Sequence, residues 1–275
     1  MNGKQERISI LGLGAMGYAL AGALLGAGRE VTVWNRSPGK ARGLLARGAR
    51  EASSAEEAIE AGDLTIACLL DDASVRETLT PVLGKLAGET LVNLTSGSAR
   101  QARELAGWLG RHGARLLAGG IMAGPPTVGT ADATILYSGA RDLFDRAAPA
   151  LDPLGRPHWV GEDPGFAAMY DMAALSGMYG MGVGAEHAVA LIRAEGGDVE
   201  AFKRDVLRPW MERMLPFTVD GADPGGPVPD ESNPEMQATG LENMLATSKE
   251  AGVPDELAGH LHASLWGMRR ATTAR

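Results

Sequence analysis

The sequence predicts an α/β fold in three parts: a doubly wound N-terminal domain over residues 1–162, an interdomain helix over 163–194, and an all-α domain over 195–275. Three observations carry this reading. Short apolar runs alternate with helical segments from Ile8 to Val160, as parallel strands joined by crossover helices do. From Gly165 to Ile192 the chain is nearly free of charge, with Asp171 inside that stretch. After Val199 the apolar residues keep helical spacing and no strand pattern returns. A chain of 275 residues has room for two domains and a real core.

Ile8 to Leu13 is a β-branched run ending in Gly12-Leu13-Gly14-Ala15-Met16-Gly17, followed by a helix from Tyr18 to Ala27, the stop signal Gly28, and a second strand, Val31 to Trp34. A Gly-x-Gly-x-x-Gly turn between strand and helix is the fingerprint of a dinucleotide-binding Rossmann fold. Gly12 permits the tight turn, Gly14 lets the backbone approach a pyrophosphate, and Gly17 lets helix and strand pack closely. The helix N-terminus offers free N–H groups and a positive dipole end. An NAD site usually ends its second strand in an acidic residue that holds the ribose 2′-hydroxyl. Here the chain reads Asn35-Arg36-Ser37-Pro38-Gly39-Lys40. Arg36 suits a 2′-phosphate, Ser37 offers a hydrogen bond and Lys40 adds charge, so NADPH/NADP+ is the expected cofactor.

The alternation continues through a helix at 55–61, a strand at 64–70, a helix at 74–86, a strand at 90–93 and a helix at 98–112. Strands at 115–117 and 134–137, a helix at 143–154 and a strand at 158–160 complete what reads as a parallel sheet. Ligands gather at the carboxyl ends of such strands. Leu70 with Asp71-Asp72, Asn93 with Thr95 and Ser96, and the run from Gly119 through Met122 to Pro126 should therefore face the nicotinamide.

The uncharged stretch is long enough to raise the question of a membrane span. Its Ala, Met and Gly content, Asp171, and the nearby Glu186, His187 and Arg193 favour a buried helix instead. Gly177, Gly180, Gly182 and Gly184 cost helix propensity, which predicts close approach by another helix from a second subunit. A further helix, 199–215, carries Phe202, Val206, Trp210, Met211 and Met214 at helical spacing. A Gly/Pro/Asp-rich surface loop, 220–229, precedes helices at 234–251 and 254–272, each with proline near its first turn.

Net charge −8 and the absence of any basic block exclude a nucleic-acid surface. The lone Cys68 sits in an apolar run, which excludes a disulfide framework and reads as buried and inert. No metal site is expected: the five histidines lack metal-ligand spacing, and His260 and His262 face different sides of a helix. The polar start, Met1 to Arg7, predicts a cytoplasmic protein.

The Gly-Leu-Gly-Ala-Met-Gly turn and the run from Gly129 to Gly139 resemble the β-hydroxyacid dehydrogenase superfamily, a branch of the 6-phosphogluconate dehydrogenase-like proteins. Hydroxyacid dehydrogenases carry a lysine early in the long helix and an asparagine one turn on; here the region is Tyr170-Asp171-Met-Ala-Ala174. Their polar substrate loop is replaced by Ile121-Met-Ala-Gly-Pro-Pro126. Together with Asn35-Arg36-Ser37 and Met178-Tyr179, these departures resemble the imine reductases and reductive aminases, over essentially the whole chain. Gly124 is an insertion-like departure from that pattern.

The resemblance implies that Asn93 lies near the nicotinamide, that Asp171 and Tyr179 are the catalytic polar groups of the pocket, and that Trp210 is an aromatic wall. Met236 and Gln237 match less closely. Met122 and Met178 would complete an apolar lining. It also implies an intertwined homodimer that exchanges its helical domains, and a substrate that is an imine, or a ketone with an amine. Electrostatics agree with this: a carboxylate favours an iminium cation where an ammonium would oppose it. An apolar surround would raise the pKa of Asp171 toward neutrality. Tyr179 lies about 12 Å further along the helix and about 80° around it, out of bonding reach of Asp171.

Other readings stay open on the residues alone. Asp171 suits a structural cap, Tyr179 and Trp210 suit plain core, and a hydroxyacid or semialdehyde dehydrogenase would need a lysine from among the badly placed Lys85, Lys203 and Lys249. A non-catalytic NADP-binding sensor is the remaining alternative.

Overall fold

The computed structural model describes residues 6–221 and 234–273, and divides into two compact units, Met1–Ala174 and Leu175–Arg275. Most of the expected loop at 220–229 lies outside the described residues.

In the first unit the elements are β1 (Arg7–Leu11), α1 (Ala15–Gly26), β2 (Glu30–Trp34), α2 (Arg42–Leu45), β3 (Arg50–Glu51), α3 (Ala55–Ala61), β4 (Leu64–Ala67), α4 (Asp72–Leu79), β5 (Thr90–Asn93), α5 (Ala99–Gly110), β6 (Arg115–Met122), β7 (Thr134–Ser138), α6 (Arg141–Leu151) and β8 (Arg156–Gly161). The eight strands form one sheet in the order β3-β2-β1-β4-β5-β6-β7-β8. Side chains alternate across it with period two. Ile8, Ile10, Ile66, Val92 and Leu117 join Leu20 and Leu24 of α1 and Leu143 and Phe144 of α6 in one core. Leu11, Ala67, Leu91 and Leu116 join Ile59 of α3, Val75 of α4 and Leu105 of α5 in the other. Helices therefore cover both faces, as the fold class requires.

The sheet corrects the sequence reading in one respect: β6 and β7 pair antiparallel, while all other pairs are parallel. A parallel return needs a crossover, usually through a helix. Residues 123–133 hold only a short 3₁₀ turn, Pro125–Thr127, so the chain reverses directly. β6 also runs five residues past the expected Leu117, through Gly119 and Gly120, whose weak strand preference hid it. Pro81 ends the helical expectation early, since proline offers no N–H; α4 gives way at Thr80 to a 3₁₀ segment. Its start is set by Asp71, whose carboxylate accepts the Ser74 N–H at 2.8 Å. The short α2 and β3 were not foreseen.

Tyr137 of β7 is fully buried against Phe144, and its hydroxyl has no hydrogen-bond partner among the described residues. An unsatisfied buried hydroxyl costs about 1–3 kcal/mol, and removal of the polar atom with its shape kept is neutral or stabilising. Tyr137→Phe should match or exceed the parent protein in urea midpoint, by up to about 1 kcal/mol; a clear loss of stability would mean that the hydroxyl is bonded.

α7 (Phe166–Ala194) begins in the first unit and continues into the second, which adds α8 (Val199–Phe202), α9 (Arg208–Asp220), α10 (Pro234–Glu250) and α11 (Gly259–Thr273). The single helix expected at 199–215 is interrupted by a wide π turn at Lys203–Leu207, immediately before Arg208-Pro209. In this unit His187 is buried, bonded to the Ser248 hydroxyl at 3.0 Å and edge-on to His260. Among its described residues the buried apolar ones are Val253, Ala258, Leu261 and Leu265. The expectation of a buried helix therefore fails within the single chain: residues 176–183 of α7 are all exposed. Added Cβ atoms at Gly177, Gly180, Gly182 and Gly184 would meet nothing within 4 Å. No described helix of the same chain makes the close approach that these glycines permit. No helix among the described residues is long and apolar enough to cross a membrane.

Candidate functional site

The glycine turn after β1 is built around three different demands. Gly12 has φ +104°, and a Cβ there would lie 2.2 Å from the Cys68 carbonyl oxygen. At Gly17 a Cβ would lie 2.1 Å from the Gly12 oxygen, so α1 could not seat against the turn. Gly14, the N-cap of α1, faces open space within 4 Å. No acidic residue sits in the first turn of α1, where Ala15 and Met16 present N–H groups to that space. The Leu13 N–H donates to the Asn35 side-chain oxygen at 2.9 Å, and the Asn35 amide donates to the Ser37 carbonyl at 2.9 Å. Asn35 thus ties the glycine turn to the loop after β2.

That loop borders a cleft of about 910 Å³ lined by Trp34, Asn35, Arg36, Glu51, Ser53 and Glu77. Ser37 and Lys40 are exposed on the same loop. Arg36 pairs with Glu77 of α4 at 2.9 Å, and both side chains are largely exposed. Sequence reasoning found the basic side of this cleft and missed its acidic wall, because Glu77 lies 41 residues away. The open face at Gly14, the uncapped α1 terminus and the arginine at the cleft fit the pyrophosphate and 2′-phosphate of NADP+.

At the carboxyl end of β5, Asn93 is buried and its side-chain oxygen accepts the Thr95 N–H at 3.1 Å. The Thr95 hydroxyl accepts the Leu69 N–H at 2.9 Å. These bonds fix the ends of β4 and β5 relative to each other. Leu70 stands out from the same edge, 84% exposed. A small cavity there is lined by Asp72, Asn93, Thr95, Ser98, Gly119 and Ala168, so the first turn of α7 reaches the strand ends. Met122 is half-buried at the end of β6.

The start of α7 is held from several sides. Asp163 accepts the Gly165 N–H at 2.8 Å and pairs with Arg103 of α5 at 2.8 Å; the guanidinium holds its carboxyl below the usual range. The buried Ser138 hydroxyl donates to the Pro164 carbonyl and accepts the Ala167 N–H, both at 2.9 Å. One turn on, Asp171 is 6% exposed, with no hydrogen bond or ion pair among the described residues. Burial raises its pKa above the ordinary aspartate value. A carboxylate serving as a structural cap would have a donor, and this one has none among the described residues.

Tyr179, Met178, Trp210 and Met236 belong to the second unit, where all four are exposed, and Gln237 is half-buried there. The cavities described within that unit are lined by other residues. The plain-core reading of Tyr179 and Trp210 fails inside this chain. Cys68 is buried and its thiol is pushed up to about 11 by burial, in keeping with an inert role. No group of three metal-binding side chains occurs among the described residues. Lys85 is engaged by Glu56 and Glu60, and Lys203 by Glu200.

Comparison with known proteins extends over both units. Residues 7–162 match the family model of the NAD binding domain of 6-phosphogluconate dehydrogenase, and residues 163–274 match that of the NADPH-dependent reductive aminase-like C-terminal domain. An NADPH-dependent reductive aminase of Aspergillus oryzae is 40% identical over 259 residues, covering 92% of this chain and 88% of that protein. A reductive aminase from Aspergillus terreus, solved with NADPH and ethyl-5-oxohexanoate, superposes with TM-score 0.88 at 40% identity, over 98% of this chain and 95% of its own. An imine reductase of Streptomyces aurantiacus gives TM-score 0.88 at 31% identity, with 98% and 95% covered.

Proposed function

The chain belongs to the NADPH-dependent reductive aminases and imine reductases, and we propose that it reduces imines, preformed or assembled from a ketone and an amine, with Asp171 as the group that handles the proton. The observation that carries the assignment is a buried aspartate, without a hydrogen-bond or ion-pair partner among the described residues, one turn into a helix that is bonded to the sheet behind it. The position it occupies is the one where hydroxyacid dehydrogenases carry lysine.

When bound, NADPH supplies hydride. The turn from Gly12 to Gly17, with Leu13, Ala15 and Met16, would hold its pyrophosphate, and Arg36, Ser37 and Lys40 its 2′-phosphate. Asn35 acts through the loop that it braces. Leu70, Asn93 and Thr95 would line the nicotinamide end. Asp171, with its raised pKa, keeps a protonated fraction at higher pH than an exposed aspartate does. It donates that proton to the imine nitrogen and, as carboxylate, then stabilises the iminium cation that accepts hydride at carbon. Tyr179, Met178, Trp210, Met236 and Gln237 are proposed to wall the substrate, with Tyr179 as a second polar group. We also propose that a second copy of the chain covers the glycine face of α7 and the exposed apolar side chains of the helical unit.

The direct test is NADPH consumption against cyclic imines, ketone–amine pairs and β-hydroxyacids. Turnover confined to β-hydroxyacids, or tight NADPH binding without turnover, would refute the proposal.

Cofactor choice gives a separate expectation. Charge-assisted bonds to phosphate contribute about 1.5–3 kcal/mol each. The exposed Arg36–Glu77 pair is worth less than about 1 kcal/mol, so a 2′-phosphate can displace it. NADPH should bind at least about ten-fold tighter than NADH, and Arg36→Ala should remove most of the difference. Equal affinities in the unmodified protein, measured by fluorescence titration, would contradict the assignment.

A further inference from the structure

Asp171 lies against a strand position that has no side chain. A Cβ added at Gly120 of β6 would stand 2.9 Å from the Asp171 Cβ, 3.3 Å from its Cγ and 3.2 Å from the Ala167 carbonyl oxygen. The hydroxyl of β7 and the guanidinium groups on the elements around this turn are engaged elsewhere. Ser138 of β7 is bonded to Pro164 and Ala167. Arg76 of α4 pairs with Asp72, and Arg103 of α5 pairs with Asp163. The Asn93 side-chain oxygen of β5 accepts from Thr95, and the Tyr170 ring leans on Phe166 within α7 itself. β6 thus meets the Asp171 side chain with a residue that has no side chain, and the carboxyl forms no hydrogen bond or ion pair among the described residues.

We propose that Gly120 is a positioning residue that sets the proton affinity of Asp171, by keeping every hydrogen-bond donor away from the strand position that abuts its side chain. A donor there would bond the carboxylate and favour the charged form. The group would then stay ionised where it must deliver a proton to a neutral imine. The inference rests on the reading of Asp171 as the proton-handling group, and its test separates the two.

Gly120→Ala and Gly120→Ser place the same Cβ 2.9 Å from the Asp171 Cβ, and each obliges β6 or the first turn of α7 to shift by the same amount. Only the serine adds a hydroxyl within reach of the carboxyl. Aspartate labelled with ¹³C at the side-chain carboxyl, with Asp171 assigned through Asp171→Asn, reports its titration in the full-length protein without reference to activity. The serine variant should titrate at least about one pH unit below the alanine variant, since hydrogen bonds to a carboxylate lower its pKa. At neutral pH it should reduce a neutral cyclic imine about ten-fold more slowly than the alanine variant, and an N-alkylated iminium at a comparable rate.

Identical titration of the two variants would overturn the proposal. Should both fail to fold, titration of the unmodified protein decides: a value at or below about 3.9, the ordinary aspartate value, would overturn it, and a higher one is the expected result. If the titrations separate and the imine rates do not follow them, the role of Gly120 stands and the catalytic assignment of Asp171 falls.

Discussion

Asp171→Ala is expected to slow cyclic-imine reduction by about ten- to a thousand-fold, about 1.4–4 kcal/mol of transition-state stabilisation. NADPH affinity should stay within about two-fold, because the phosphate-binding elements lie between Gly12 and Lys40, away from α7. Asp171→Asn preserves shape and removes charge, so it separates electrostatics from packing. An iminium with a fixed charge needs no proton and should lose less than a neutral imine if proton delivery dominates. Equal losses would identify Coulomb stabilisation as the larger part. Stability should move the other way. A carboxyl whose folded pKa is raised weakens the fold above its unfolded pKa, because the native state then binds more protons than the unfolded chain. Asp171→Asn should therefore raise Tm at neutral pH, and the gain should vanish below the ordinary aspartate range. Full imine turnover by Asp171→Ala, in steady-state assays, would leave the residue a structural role and make Tyr179 the better candidate.

The second large effect concerns assembly. A Cβ at Gly180 would meet nothing within 4 Å in its own chain, so Gly180→Leu has room to start there and gains somewhat less than the ~0.8–1 kcal/mol of helix propensity that separates glycine from alanine. A partner helix seated against that glycine would be pushed away. The dimer dissociation constant should rise by at least roughly a hundred-fold, about 2.7 kcal/mol, and activity should fall with it at micromolar protein. The parent protein should bury more than ~2,000 Å² between subunits, the range of obligate dimers. Light scattering after gel filtration, with circular dichroism to confirm helix content, checks both parts. A variant that stays dimeric and fully active, or a parent that is an active monomer, would remove this reading.

The strand–turn–helix at Gly12 was legible because glycine spacing there is a backbone requirement, and Gly12 and Gly17 meet it at van der Waals limits. The alternation of Ile8, Ile10 and Leu11 between two cores follows directly from the pleat. What the chain concealed depends on contacts distant in sequence. Gly119 and Gly120 look like a loop and form strand, because β7 returns to pair with them. Ser138 reads as a strand-end serine, and nothing local shows that its hydroxyl seats a helix through Ala167, 29 residues away. Glu77 joins the cleft beside Arg36 only through the topology. Resemblance pointed to Asp171; that its carboxyl has no hydrogen bond or ion pair among the described residues could be seen only in three dimensions.

The two units part after Ala174, three residues past Asp171. The nucleotide fold and the carboxyl at the foot of α7 thus pack in one unit, while Tyr179, Trp210 and Met236 belong to the other. Substitutions at those three positions should therefore change the range of amines made while the phosphate-binding turn, the sheet and the seat of Asp171 stay in place.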